Sequence, residues 1–328
     1  MGTMGMVLCA SACDLVSAYS SFDRLYLFSI LMKRFIRNFS LFALPLLIIA
    51  VVLEFVAESL PNSYIFKRDY IEQHARDIQV LFLGSSNAYD GLTPSVIPNA
   101  FNLANSSQTL EDDYRLLAKY IDSMDSLKTM VLGLGYKSLA LTTHANRRMY
   151  YTIYMDLYPR WPLNEYSFEV FNLELLLKKI IKYMVSRDIM RCDSLGQRVG
   201  HTRIAVERGT EFWNRDVEGM VANDYMNVNR SWGIIHSNYR LICQIVDLCN
   251  AHGVQPVIVQ MPVMKEYKRR LPEEQVALMK EVLQSLDSSA ICIDASEWSI
   301  SEDGWYNATH LTREASIPFT RHLLDLIR

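Results

Sequence analysis

From residue 62 onward the chain alternates short apolar runs of strand length with longer segments of helical period, and this rhythm restricts the fold more than any other feature of the sequence. Residues 78–83 (IQVLFL) are apolar at all but one position, which suits a strand covered on both faces and not one that shows alternate side chains to water. Residues 101–104 and 130–134 are the next two expected strands. Between them a helix at 112–124 puts Tyr114, Leu117, Tyr120 and Ile121 on one face. The series resumes with a helix at 231–252 closed by Gly253 and a strand at 256–261. A charged helix at 273–286, a strand at 291–294 and a last helix at 313–327 complete it. Strands joined through helices lie parallel, so the expected class is α/β: a flavodoxin-like, three-layer, doubly wound parallel sheet of about five strands.

Between 139 and 230 the rhythm breaks. This segment is rich in Tyr, Phe, Trp and Arg, holds an amphipathic stretch near 175–185, and is too long for a single crossover loop. Residues 62–328 are therefore expected to form one domain with a helical, aromatic insertion at about 140–230, whose aromatics serve either the core or a substrate groove.

Ahead of this domain lies a membrane signal. Residues 41–53 are all apolar, Pro45 included, and Ser40 and the flanking aromatics extend the run toward the roughly 20 residues that span a bilayer. Lys33, Arg34 and Arg37 precede it, and Glu54 and Glu58 close its far end. Basic flanks stay on the cytoplasmic side, so a single-pass signal-anchor at 32–60 predicts a cytoplasmic N-terminus and a domain outside the cytoplasm, periplasmic or at the cell surface. A cleaved signal peptide shares the same basic and apolar regions, but no convincing A-x-A cleavage site follows. Met32-Lys33-Arg34 is a natural beginning for the anchor, which leaves residues 1–31 as an uncertain or disordered extension.

Charge excludes one class of partner. With 33 basic and 36 acidic residues interspersed for a net charge of -3, there is no basic stripe to neutralise phosphates, and nucleic acid is not an expected partner. The six cysteines form no C-x-x-C pair and no metal-ligand spacing occurs, so no metal is expected.

Two segments carry potential chemistry. The first strand ends in Gly84-Ser85-Ser86-Asn87, a turn that exposes a serine hydroxyl at the carboxyl edge of the sheet beside backbone N–H groups able to hold an oxyanion. A helix N-cap is the plainer reading of the same serines. Trp305-Tyr306-Asn307-Ala308-Thr309-His310-Leu311-Thr312 precedes the last helix and sets His310 on a loop at the same edge. None of the other histidines combines a late loop with a following helix, so His310 is the candidate general base for Ser86.

Together these segments resemble the SGNH (GDSL-like) hydrolase superfamily, and more closely its membrane-anchored extracytoplasmic branch, similar to bacterial proteins that acylate or deacylate envelope polysaccharides. The resemblance covers residues 77–138 and 236–328. It makes Gly84-Ser85-Ser86 the first block, with Ser85 in place of Asp and Ser86 as nucleophile. Residues 101–107 (FNLANSS) look like the second block, where Ser107 replaces a glycine whose N–H lines the oxyanion hole. Residues 131–136 (VLGLGY), ending in Tyr136, resemble the third, where Gly135 replaces an asparagine that donates a hydrogen bond; Asn105 is the available substitute. In the last block Asn307 stands where the family has Asp three residues before the histidine, and Asp303 is the alternative acid. Residues 260–263 (QMPV) also resemble the branch, where such a strand end adjoins the pocket. The resemblance implies a cofactor-free serine esterase or O-acyltransferase acting on cell-envelope polysaccharide or another acylated small substrate. It also allows a non-catalytic scaffold that holds polysaccharide for a membrane-bound acyltransferase.

Overall fold

A computed structural model of the protein describes residues 4–142, 145–186, 191–199, 210–226 and 228–327. The chain divides into two compact units after Ala57. The first is the helix α1 (Met4–Ser59), 56 residues long and interrupted only by the tolerated Pro45. Within it Phe28–Ser59 has a mean hydropathy of 2.6 over its most apolar window, and its 32 residues make it long and apolar enough to cross a membrane. The helix is continuous from Met4 through the residues ahead of Met32. Between Met6 and Leu44 neither glycine nor proline occurs to stop it.

The second unit opens with α2 (Ser63–His74), capped by the Asn62 side chain, which accepts from the N–H groups of Tyr64 and Ile65. There follow β1 (Val80–Gly84), α3 (Ser86–Gly91), β2 (Ala100–Asn102), α4 (Leu110–Tyr120) and β3 (Thr129–Leu134). The region expected as an insertion carries α5 (Ala145–Ile153), α6 (Leu173–Ser186), α7 (Thr210–Asp224) and the start of α8 (Val228–Ala251). The chain then returns to the sheet through β4 (Gln255–Gln260), α9 (Lys265–Arg270), α10 (Glu273–Leu286) and β5 (Ile291–Asp294). A small hairpin, β6 (Trp305–Asn307) and β7 (His310–Leu311), leads into α11 (Arg313–Ile327).

The five main strands are all parallel, in the order β2-β1-β3-β4-β5. This is the flavodoxin-like doubly wound order, which reverses direction at β1 and β3 and so opens a crevice beyond their carboxyl ends. Both faces of the sheet are covered, and alternate residues of each strand divide between two cores. Leu81, Leu83, Met130, Leu132 and Ile258 pack with Leu117 of α4, Ile245 of α8 and Leu283 of α10. Phe82, Val131, Val257 and Val259 pack on the other face with Ala88 of α3 and Phe319 and Leu323 of α11. That division is why the strands read as continuous apolar runs. Three of the insertion's tyrosines, Tyr151, Tyr154 and Tyr158, are buried in the core.

Candidate active site

The first strand ends in a turn that only glycine can make. Gly84 has φ +124, and a Cβ there would stand 2.4 Å from the carbonyl oxygen of Gly133, its partner in β3. Its N–H donates to Oδ1 of the buried Asp113 at 2.8 Å, and Gln108 Nε2 donates to the same oxygen at 2.6 Å. Burial pushes the Asp113 carboxyl up to about 7, against the pull of these two bonds. Tyr151 of α5 in turn donates to Gln108 Oε1 at 2.6 Å, so the insertion braces the turn from behind.

Beyond the turn, Ser85 takes the N-cap position of α3 but its side chain caps nothing. Ser86 is the first residue of the helix, and its hydroxyl lies 2.7 Å from His310 Nε2. The capping role that the sequence leaves open therefore does not occupy Ser86.

His310 is not on a loop, as expected, but opens β7, and Asn307 ends β6 across a two-residue turn. Strands this short carry no alternation that a sequence can display. The hairpin is fixed at both sides. Ala308 N–H donates to Asp216 Oδ2 of α7 at 2.8 Å, and Asn87 Nδ2 donates to the Thr309 carbonyl at 2.6 Å.

Asn307 Oδ1 lies 2.8 Å from His310 Nδ1 and accepts from the Thr309 N–H at 3.0 Å. Because a backbone N–H can only donate, the Asn307 atom facing both groups is the oxygen. His310 Nδ1 must then carry the proton, which leaves Nε2 free to accept from Ser86. The amide thus selects the tautomer that a general base needs. Asp303 is not part of this arrangement: it sits on an exposed turn, with its carboxylate accepting from the Ser301 hydroxyl. Three residues before the histidine is within reach of Nδ1 across the hairpin turn, whereas Asp303 belongs to the turn that precedes β6.

Two neighbours were not anticipated. Asp90, 1% exposed in its side chain, places Oδ2 3.9 Å from His310 Nε2 and Oδ1 3.2 Å from Arg198 Nε. The signal available was its spacing: Ser86 and Asp90 are four apart and share one side of α3. Asn87 fills the space beside Gly135, where an added Cβ would meet its Oδ1 at 2.9 Å. Any side chain at Gly135 would have to displace that amide.

The serine and histidine open into a cavity of about 200 Å³, lined also by Ser85, Ser107, Gly135, Tyr136 and Val263. Val263 is the last residue of the QMPV segment expected to adjoin the pocket. Ser107 adopts φ +56, in the left-handed region where glycine is the easier residue. Asn105, the expected substitute donor, lines a different and larger cavity. Its own N–H is donated to the Gly84 carbonyl at 3.3 Å. Among the described residues no cluster of His, Cys, Asp and Glu is placed to hold a metal ion.

The site therefore gathers Ser86, His310 and Asn307 in hydrogen-bonded series and sets Ser85, Ser107, Gly135 and Tyr136 around them. A scan against protein-family models finds no match to this chain, and a search of curated proteins finds no relative, so the resemblance rests on the four short blocks.

Proposed function

We propose that this protein is a serine esterase or O-acyltransferase of the SGNH type, acting through an acyl-enzyme on Ser86 on acyl esters, chiefly acetyl, of cell-envelope glycans. The observation that carries the proposal is the series Ser86 Oγ, His310 Nε2, His310 Nδ1, Asn307 Oδ1, with links of 2.7 and 2.8 Å. In the first half-reaction Ser86 Oγ attacks the ester carbonyl carbon and its proton passes to His310 Nε2. The N–H groups of Ser86 and Ser107 take the negative charge that develops on the carbonyl oxygen. Collapse breaks the bond to the sugar oxygen, which leaves with the proton from His310. Water, or the hydroxyl of an acceptor sugar, then gives its proton to His310 as it attacks the acyl carbonyl carbon; the bond to Ser86 Oγ breaks, His310 returns the proton to that oxygen, and the acid or the new sugar ester leaves.

A sheet edge with this strand order, a serine at the tip of β1 and a histidine just before the last helix are what the resemblance implies, and they support the reading. An apolar helix able to cross a membrane supports a place in the cell envelope, with the N-terminus cytoplasmic and the domain outside.

One observation favours a second reading, a non-catalytic scaffold that presents polysaccharide to a membrane-bound acyltransferase. Gly135 offers no side-chain donor, and the Asn87 amide that fills its place is engaged with the Thr309 carbonyl. Removing one oxyanion donor typically lowers the rate by about 100- to 1000-fold. A fluorophosphonate probe separates the two readings. The esterase reading expects one label per chain, absent from Ser86→Ala; a correctly folded wild-type chain that takes no label would leave the scaffold.

A further inference from the structure

Alongside the serine cavity lies a second of about 580 Å³, the size of an ordinary ligand site, and the two share Ser107 as a common wall. Its charge is one-sided. Arg147 of α5, Lys178, Lys179 and Lys182 of α6, and Arg191 line it, and no Asp or Glu does. Two of these cations are already answered: Lys179 pairs with the buried Glu169 at 2.7 Å, and Lys178 with Glu174 one turn back on α6. Arg147, Lys182 and Arg191 have no acidic partner among the described residues, and the Arg147 guanidinium reaches only the Tyr64 hydroxyl, at 3.4 Å. Three cations around one concave space, without counter-charge, repel one another and raise the potential inside it. The rest of the wall is aromatic and hydroxylic, with Tyr64, Tyr89 and Tyr150 beside Ser63 and Ser106. Such a lining suits sugar rings bearing anionic groups.

We propose that this cavity binds an anionic group, carboxylate or phosphate, of the glycan whose neighbouring acyl ester reaches Ser86. The inference rests on the esterase reading for the identity of the ligand as a glycan, but its test does not depend on turnover. Ser107 belongs to both walls, so a sugar unit seated by its charge in the larger cavity places the next unit at the serine.

The test is isothermal titration of the full chain in detergent with three unacylated probes of similar length: an oligo-uronate, an oligo(glycerol phosphate) and a neutral oligoglucoside. At least one anionic probe is expected to bind ten times more tightly than the neutral one. That preference should shrink about tenfold when salt is raised from about 0.05 to about 0.5 M, because the screening length falls severalfold. Whichever anionic probe binds identifies the carboxylate or the phosphate. Lys182→Gln combined with Arg191→Gln, both at exposed positions, should weaken that probe about tenfold while melting at the wild-type temperature; Lys182→Gln alone gives the same reading in smaller measure if the pair unfolds. Equal binding of charged and neutral probes, or unchanged affinity in folded variants, would overturn the proposal. None of the probes carries an acyl ester, so a null titration beside normal fluorophosphonate labelling rejects the anion site alone, and the reverse result rejects the esterase alone.

Discussion

Asn307 separates two duties that an aspartate would combine. It orients the imidazole and selects its tautomer, because the Thr309 N–H fixes which amide atom faces His310, but it brings no negative charge to the imidazolium that the proposed esterase reaction would form. Asn307→Asp keeps the geometry and adds the charge. Hydrogen bonds to charged groups exceed neutral ones by about 1 kcal/mol or more, so kcat/KM for a neutral aryl acetate should rise about tenfold, read by steady-state kinetics. No rise would mean that charge is already supplied from elsewhere, and Asp90, 3.9 Å from Nε2, is placed to supply it. Asp90→Asn should then lower the rate and also destabilise the fold by about 3 kcal/mol in denaturant unfolding, because it removes the carboxylate that lies 3.2 Å from Nε of the nearly buried Arg198. Ser86 and His310 were legible in the sequence because each stands at a punctuation point, one after a buried strand and the other before a helix. Asn87 and Asp90 were not, since their roles depend on which side of a six-residue helix meets a hairpin more than two hundred positions away.

Among the elements, periodicity predicts α10, β5 and α11 to the residue, because each is long or apolar enough to show its period between clear breaks. The helix α4 begins two residues earlier than its apolar stripe suggests. Thr109 and Asp112 form a reciprocal capping box that starts the helix ahead of the stripe, and its pattern of Thr followed three residues later by an acid was visible. Two of the elements behind the site hold ionisable groups whose ordinary charge burial suppresses, Asp113 on α4 and Lys67 on α2. Asp113 is pushed up to about 7 from 3.8, so between about pH 4 and 7 the folded chain keeps a proton that the unfolded chain releases; stability falls as pH rises through that window. Lys67, fully buried with its ammonium nitrogen on the Ala104 carbonyl and against the Tyr89 ring, is pushed down to about 7 from 10.5. From about pH 7 to 10.5 the unfolded chain holds the extra proton, so stability rises with pH. The two contributions meet in a stability minimum near neutrality. Thermal unfolding followed across pH 4 to 10 should show it, with Asp113→Asn flattening the acid limb and Lys67→Met the alkaline limb. A profile unchanged by either substitution would show that these groups titrate normally in the folded protein.

At the scale of the whole molecule, the alternating rhythm restricts the class to a parallel α/β sheet, and the rule of right-handed crossovers reduces the possible strand orders to a few. The observed order is one of them. The rhythm could not show which aromatics of the segment enter the core, as Tyr151, Tyr154 and Tyr158 do, because buried and groove-lining tyrosines have the same composition and differ only in what covers them. The first unit poses a different physical problem, since an apolar helix fixes that a membrane can be crossed but not in which direction. Direction depends on charge beside the span. Lys33, Arg34 and Arg37 lie on the N-terminal side of the apolar run at 41–53, with Glu54 and Glu58 just beyond its other end. Translocating a cluster of cations is disfavoured, whereas acidic residues matter little, so the basic side should remain in the cytoplasm. Protease added to intact spheroplasts of an expressing cell should therefore digest the sheet domain and spare a tag at the N-terminus. Changing Lys33, Arg34 and Arg37 together to Glu should remove the bias and let a substantial fraction of chains insert with the domain protected. A domain protected in the wild type would place Ser86 and His310 on the cytoplasmic side, away from any envelope glycan, and the substrate would then have to be sought there.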